Sequence, residues 1–89
     1  MLLTHSGPSA GSVFRLHRGR FRIGRGPVDV PVPDPGMSRE HAVLEVSSTT
    51  LTLTNMEAAN PVLVDGHPIR HSSVTAESTI LCGNSTFSV

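Results

Sequence analysis

Short runs in which apolar and polar residues alternate fill this chain, separated by Gly, Pro, Asn, Asp and Ser. The strictest is Thr50-Leu51-Thr52-Leu53-Thr54. Its period of two puts both leucines on one face and the threonines on the other, as a half-buried strand requires. Ala42, Leu44 and Val46 share a face in the same way, as do Phe14 with Leu16 and Phe21 with Ile23. Val13–Leu16 and Arg20–Gly24 flank the turn His17-Arg18-Gly19, and are expected to form a hairpin with basic residues on its wet face. Met1–Thr4 is expected as an edge strand. Val28, Val30 and Val32 alternate with Asp29, Pro31 and Pro33; proline lacks the ladder donor, so this piece is an edge strand at most. Val62–Val64 and His67–Ile69 flank Asp65-Gly66, the strongest short hairpin signal in the chain. Thr79–Cys82 and Thr86–Val89 flank a second tight turn at Gly83-Asn84-Ser85. Glu57-Ala58-Ala59 is expected to make a helical turn, too short to stand as a helix. His71–Glu77 is expected to be irregular. About ten short strands and no amphipathic helix imply an all-β sandwich.

Composition narrows this picture. At 89 residues the chain makes one small domain, 1–89, with one core. It ends inside a strand-like run, and is expected to be a fragment from the N-terminus of a longer protein. Aromatics are 3% of residues, so the core must be aliphatic. The single Cys82 excludes an internal disulfide and a Cys-rich zinc site, and its apolar neighbours mark it as core. No stretch is apolar enough to span a membrane, and Met1-Leu2-Leu3 lacks the form of a signal peptide. A cytoplasmic location is expected, with no membrane contact by the domain itself, although the host protein is open to being membrane-bound. Seven basic and seven acidic residues give a net charge of zero, which argues against nucleic acid as partner. All the basic residues are arginine, and Arg15, Arg18, Arg20, Arg22 and Arg25 fall close together. Most of that cluster reads as the solvated face of strands.

Candidate chemistry lies in loops. Gly24-Arg25 ends one strand; Ser38-Arg39-Glu40-His41 feeds another; Asn60 precedes a third. In a sandwich alternate loops fall at the same end, so Arg25, Ser38 and Asn60 are expected to converge. They offer a guanidinium fork, a hydroxyl and an amide. Donors with no carboxylate pair suit an anion such as phosphate better than they suit catalysis. A Ser38–His41 hydrolase pair is disfavoured because alternation separates side chains entering a strand, and no acid or oxyanion motif accompanies them. His67 and His71 flank Pro68 and lack further ligands, so no metal and no cofactor is expected.

The ordered set Gly24-Arg25, Ser38-Arg39-Glu40-His41, Asn60 and Gly66 resembles the forkhead-associated (FHA) domain, bacterial type, over essentially the whole chain. That resemblance implies an FHA-like (SMAD/FHA) sandwich of about eleven short, mostly antiparallel strands that binds threonine-phosphorylated proteins or peptides. It implies that Arg25 contacts the phosphate and Ser38 binds it through its hydroxyl. It implies that Arg39 lines the site and that Asn60 holds the peptide backbone. Gly24, His41 and Gly66 are implied as structural support. Ala59 stands where the family often has a hydroxyl, and Asn60 is followed by Pro61-Val62 rather than Gly-Thr. The expected function is phosphothreonine-dependent binding in bacterial Ser/Thr-kinase signalling or secretion-system assembly. The alternative is a degenerate FHA domain whose protein–protein contacts do not depend on phosphate. The opening of the chain is similar to that of FHA domains on the membrane ATPases of type VII-like secretion systems.

Overall fold

The computed structural model describes every residue, Met1–Val89. It contains no helix. Eleven strands run in chain order: β1 Leu2–Ser6, β2 Val13–Phe14, β3 Gly19–Gly24, β4 Val30–Pro31, β5 Ala42–Val46, β6 Leu51–Asn55, β7 Val62–Val64, β8 His67–Ile69, β9 His71–Ser73, β10 Ile80–Cys82 and β11 Ser85–Ser88. They form two sheets, ordered β2-β1-β11-β10-β7-β8 and β4-β3-β5-β6-β9. All pairs are antiparallel except β3 with β4.

The alternation noted in the sequence fixes which side chains fill the space between the sheets. Phe21 and Ile23 of β3, Ala42 and Leu44 of β5 and Leu53 of β6 face Leu2, Val62, Val64, Ile80, Cys82 and Phe87 of the other sheet in one buried cluster. Registers align like faces: Phe21 pairs with Leu44, and Leu44 with Leu53. Burial raises the Cys82 thiol to about 12, with the Asp34 charge adding to the shift, so Cys82 stays protonated and behaves as a small apolar residue.

Four expectations are corrected. β2 and β3 do not form a hairpin: β2 pairs with β1 and β3 with β5, so His17-Arg18-Gly19 carries the chain from one sheet to the other. Alternation reports a face but not a partner. β1 is not an edge; it lies between β2 and β11. His71–Ser73 is a strand, held to β6 by backbone pairing that needs no apolar pattern, with Thr54 Oγ1 and His71 Nδ1 2.7 Å apart across the pair. Glu57 takes a left-handed φ of 57°, so Glu57–Ala59 is not a helical turn.

The turns follow the residues that permit them. Asp65 and Gly66 both have positive φ, 52° and 82°, as a two-residue turn of type I′ demands. β4, which contains Pro31, lies at a sheet edge, as its missing donor requires. Ile23 pairs with Ala42, and Ala42 with Asn55. The end of β3, the start of β5 and the end of β6 therefore share one pole of the sandwich.

Candidate functional site

Three loops meet at that pole and are stitched by hydrogen bonds. The Arg25 N–H donates to the Ser38 carbonyl (3.0 Å), and Gly26 N–H to the Arg39 carbonyl (3.0 Å). Arg25 Nε donates to the Met37 carbonyl (3.1 Å). That bond holds the guanidinium against the β4–β5 loop and leaves both terminal nitrogens unspent. Ser38 Oγ accepts the Ala59 N–H (3.1 Å), so the hydroxyl retains its own proton to donate. Asn60 Nδ2 donates to the Gly36 carbonyl (2.7 Å), leaving Oδ1 and one amide hydrogen free. Arg25, Ser38 and Asn60 are thus brought to one loop cluster.

Gly24 is buried, with its Cα against the 38–39 backbone. A Cβ there would come within 2.7 Å of the Arg39 carbonyl carbon. Its role is close approach rather than an unusual φ. Arg39 is exposed and lines a shallow depression of about 140 Å³ with Arg22, Pro27, Val28 and Glu40. Gly66 sits at the far end of β7, and its turn is tied to Thr79 rather than to the site loops: the Asp65 N–H donates to the Thr79 carbonyl, and Thr79 N–H to Asp65 Oδ1.

His41 is fully buried beneath the loops. Its Nδ1 accepts the Ser38 N–H (3.1 Å), so the two residues touch through the backbone of one and the ring of the other. The neutral ring then carries its proton on Nε2. Nε2 has no aligned hydrogen-bond partner; the Pro61 carbonyl lies close enough to favour a charged ring but not to form a good bond. Burial lowers the His41 pKa below 6.5, and the opposing pulls of Pro61 and of Asp34 do not overcome it.

One supporting residue escaped the sequence reading. Asp34, between Pro33 and Pro35, is fully buried. Oδ1 accepts the Gly36 N–H (2.8 Å) and Asn84 Nδ2 (3.3 Å); Oδ2 accepts the Asn84 N–H (2.8 Å) and the Ser85 hydroxyl (2.6 Å). Burial alone would raise its pKa, but these bonds together hold it below 3.8. Asp34 therefore clamps the β4–β5 loop to the β10–β11 turn. The local signal was Pro-Asp-Pro-Gly, an Asx turn in the making; that the carboxylate reaches Asn84 and Ser85 is a matter of tertiary proximity. Gly83 and Gly36 allow the contact, since a Cβ on Gly83 would lie 2.8 Å from the Gly36 carbonyl carbon.

An eleven-stranded two-sheet sandwich with these loops at one pole is the FHA-type fold. The chain belongs to the family described as the inner membrane component of T3SS, cytoplasmic domain, whose model matches residues 4–89. That description agrees with the cytoplasmic location expected from the sequence, and no helix is long and apolar enough to cross a membrane. Among solved structures, the chain resembles the FHA domain of the CT664 protein from Chlamydia trachomatis (TM-score 0.90, 24% identity, 98% of this chain and 91% of that one). It is similar to an FHA domain studied for phosphothreonine-dependent interactions (TM-score 0.89, 24% identity, 98% and 90% covered). It also resembles the cytoplasmic domain of the T3SS sorting platform protein PscD from P. aeruginosa (TM-score 0.86, 24% identity, 98% and 75% covered).

Proposed function

We propose that this domain binds partner proteins at a phosphorylated threonine, with Arg25 and Ser38 taking the phosphate. The observation that carries the reading is the pairing of unspent donors. The terminal nitrogens of Arg25 and the hydroxyl proton of Ser38 are held at one pole by bonds made with their other atoms. A phosphate with a charge of about −1.5 to −2 and three acceptor oxygens suits that set. Asn60 Oδ1 and its remaining amide hydrogen are free to meet a peptide backbone, and Arg39 adds positive charge nearby. The similarity to an FHA domain studied for phosphothreonine-dependent interactions supports the same reading. Setting follows family: assembly of a secretion system, or a Ser/Thr-kinase pathway.

Catalysis is not part of the proposal. The His41 Nδ1 is occupied by the Ser38 N–H, so the imidazole is not positioned to activate the Ser38 hydroxyl. The second reading, binding that does not need phosphate, is favoured by two features: Asn60 spends an amide hydrogen on Gly36, and Ala59 brings no hydroxyl.

A phosphothreonine peptide library separates the two. Phosphorylated members are expected to bind, and Arg25→Ala is expected to weaken them about 10- to 100-fold, the scale of one or two charge-assisted hydrogen bonds. Equal binding of the unphosphorylated peptides would establish the second reading.

A further inference from the structure

The pole opposite the phosphate cradle carries arginines that the fold does not use. Ser85 is bound to Asp34 beside the cradle, so β11 runs away from it and Ser88 lies at the far end. Leu3 pairs with both Ser88 and Val13, which puts the start of β1 and the end of β2 at that far end too. Gly19 opens β3 there, opposite Val46. Residues 15–18 carry the chain across this pole from one sheet to the other.

Packing fixes that crossing. Leu16 lies against the core, and the His17 ring meets Phe21 edge-on, with centroids 5.0 Å apart. His17 Nδ1 donates to the Arg18 carbonyl (2.9 Å). Arg15, Arg18 and Arg20 are left exposed, and none makes a hydrogen bond or an ion pair; both ion pairs of the chain belong to Arg22, with Asp29 and with Glu40. The chain from Arg15 to Arg20 can span at most about 18 Å. No acidic residue precedes Asp29 in the sequence. Glu45 stands opposite Arg20 on β5 without pairing with it, and Asp65 and Glu77 follow β7 and β9, across the sheets from β2 and β3.

Apolar side chains lie beside these charges. Leu2 and Phe14 turn inward, so the period of two places Met1, Leu3, Val13 and Arg15 together on the outer face of their sheet. Met1 is 64% exposed and Val13 52%. Arginine next to bare apolar side chains suits a lipid headgroup layer, where the charge meets phosphate and the apolar groups enter the interface. None of the clefts of the molecule is lined by Met1, Val13 or these arginines, so the surface offers no groove for a peptide and fits a plane. Phe14 and Phe21 are turned into the core, which leaves no ring to stack on a nucleic-acid base.

We propose that this corner docks on an anionic bilayer, with Arg15, Arg18 and Arg20 on lipid phosphates and Met1 and Val13 in the headgroup layer. This replaces the absence of membrane contact expected from the sequence, and it stands independently of the phosphothreonine reading. A domain docked in this way presents its cradle to the solution.

The test is co-sedimentation of the untagged chain with vesicles of phosphatidylcholine, with and without about one-third phosphatidylglycerol. Binding is expected to the anionic vesicles only, and is expected to be lost in about 0.5 M salt. Arg15→Gln, Arg18→Gln and Arg20→Gln should each weaken partitioning about fivefold, the scale of one arginine at such a surface. Val13→Ser should weaken it about two- to threefold. Arg22→Gln, whose charge is already paired, should change nothing, and an unchanged thermal midpoint verifies the fold of each variant. Equal partitioning onto neutral vesicles overturns the inference, as does full retention by the triple arginine variant. Loss of vesicle binding in Arg25→Ala would assign the lipid phosphate to the cradle and overturn it too. Equally tight binding of a DNA duplex, weakened by the same three substitutions, would show a general polyanion surface in place of a membrane one.

Discussion

At the residue scale, Asp34 anchors the loop that carries Ser38. It satisfies two backbone N–H groups, one amide and one hydroxyl from two separate loops, without a countercharge. A buried carboxylate is tolerated only when its lone pairs are used in this way. Asp34→Asn keeps the shape but turns one acceptor into a donor among donors. It is expected to lower stability by about 1–3 kcal/mol, read as a fall in the urea midpoint at constant slope. Phosphopeptide affinity should fall with it, because Gly36 carries the carbonyl that Asn60 grips. The sequence marked Arg25, Ser38 and Asn60 by residue type and order. It did not mark Asp34, whose partners lie far along the chain.

At the scale of elements, the site depends on two strands ending in close contact. The end of β3 lies against the β4–β5 loop so tightly that Gly24 has no room for a methyl group. Gly24→Ala is expected to push the 38–39 turn outward and cost about 1–3 kcal/mol, as overpacking does. The same variant should weaken phosphopeptide binding more than Gly66→Ala does, since the Gly66 turn lies at the opposite pole with open space around it. Gly66→Ala should act on stability alone, through its positive φ. Alternation identified most of the strands and their buried faces correctly. It failed for pairing partners: a period of two cannot say which strand lies next door, and so the β2–β3 hairpin was expected where a sheet crossing occurs. It failed too for β9, a strand of His and Ser held by backbone bonds at an edge.

For the whole molecule, acid is expected to loosen the fold in two stages. His41 is neutral in its buried site and its pKa lies below 6.5, so below that pH the unfolded chain takes up a proton that the folded chain resists. Stability is therefore complete above about pH 6.5 and declines as pH falls toward the lowered folded value. Asp34, also depressed, adds a second loss that starts near 3.8 and continues below it. Denaturant midpoints measured across pH 3 to 8 should show both limbs. His41→Asn, whose amide oxygen can accept the Ser38 N–H, should remove the upper limb and keep the lower one. An unchanged upper limb in that variant would show that His41 is not its source.

The sequence by itself determined the class of fold, the aliphatic core and the order of the loop motifs. Each of these follows from local information: the period of side chains along a strand, the residues that permit a turn, the chemistry of a donor. Only the tertiary structure decided which strands are neighbours and which loops share a pole. It also decided that Ser38 rests on His41 through its backbone, and that Asp34 locks two loops together. Those relations join residues as distant in sequence as Leu3 and Ser88 in the β1–β11 pair, or Asp34 and Ser85 in the loop clamp. Their distances are set by how two sheets pack, and no pattern along the chain encodes them.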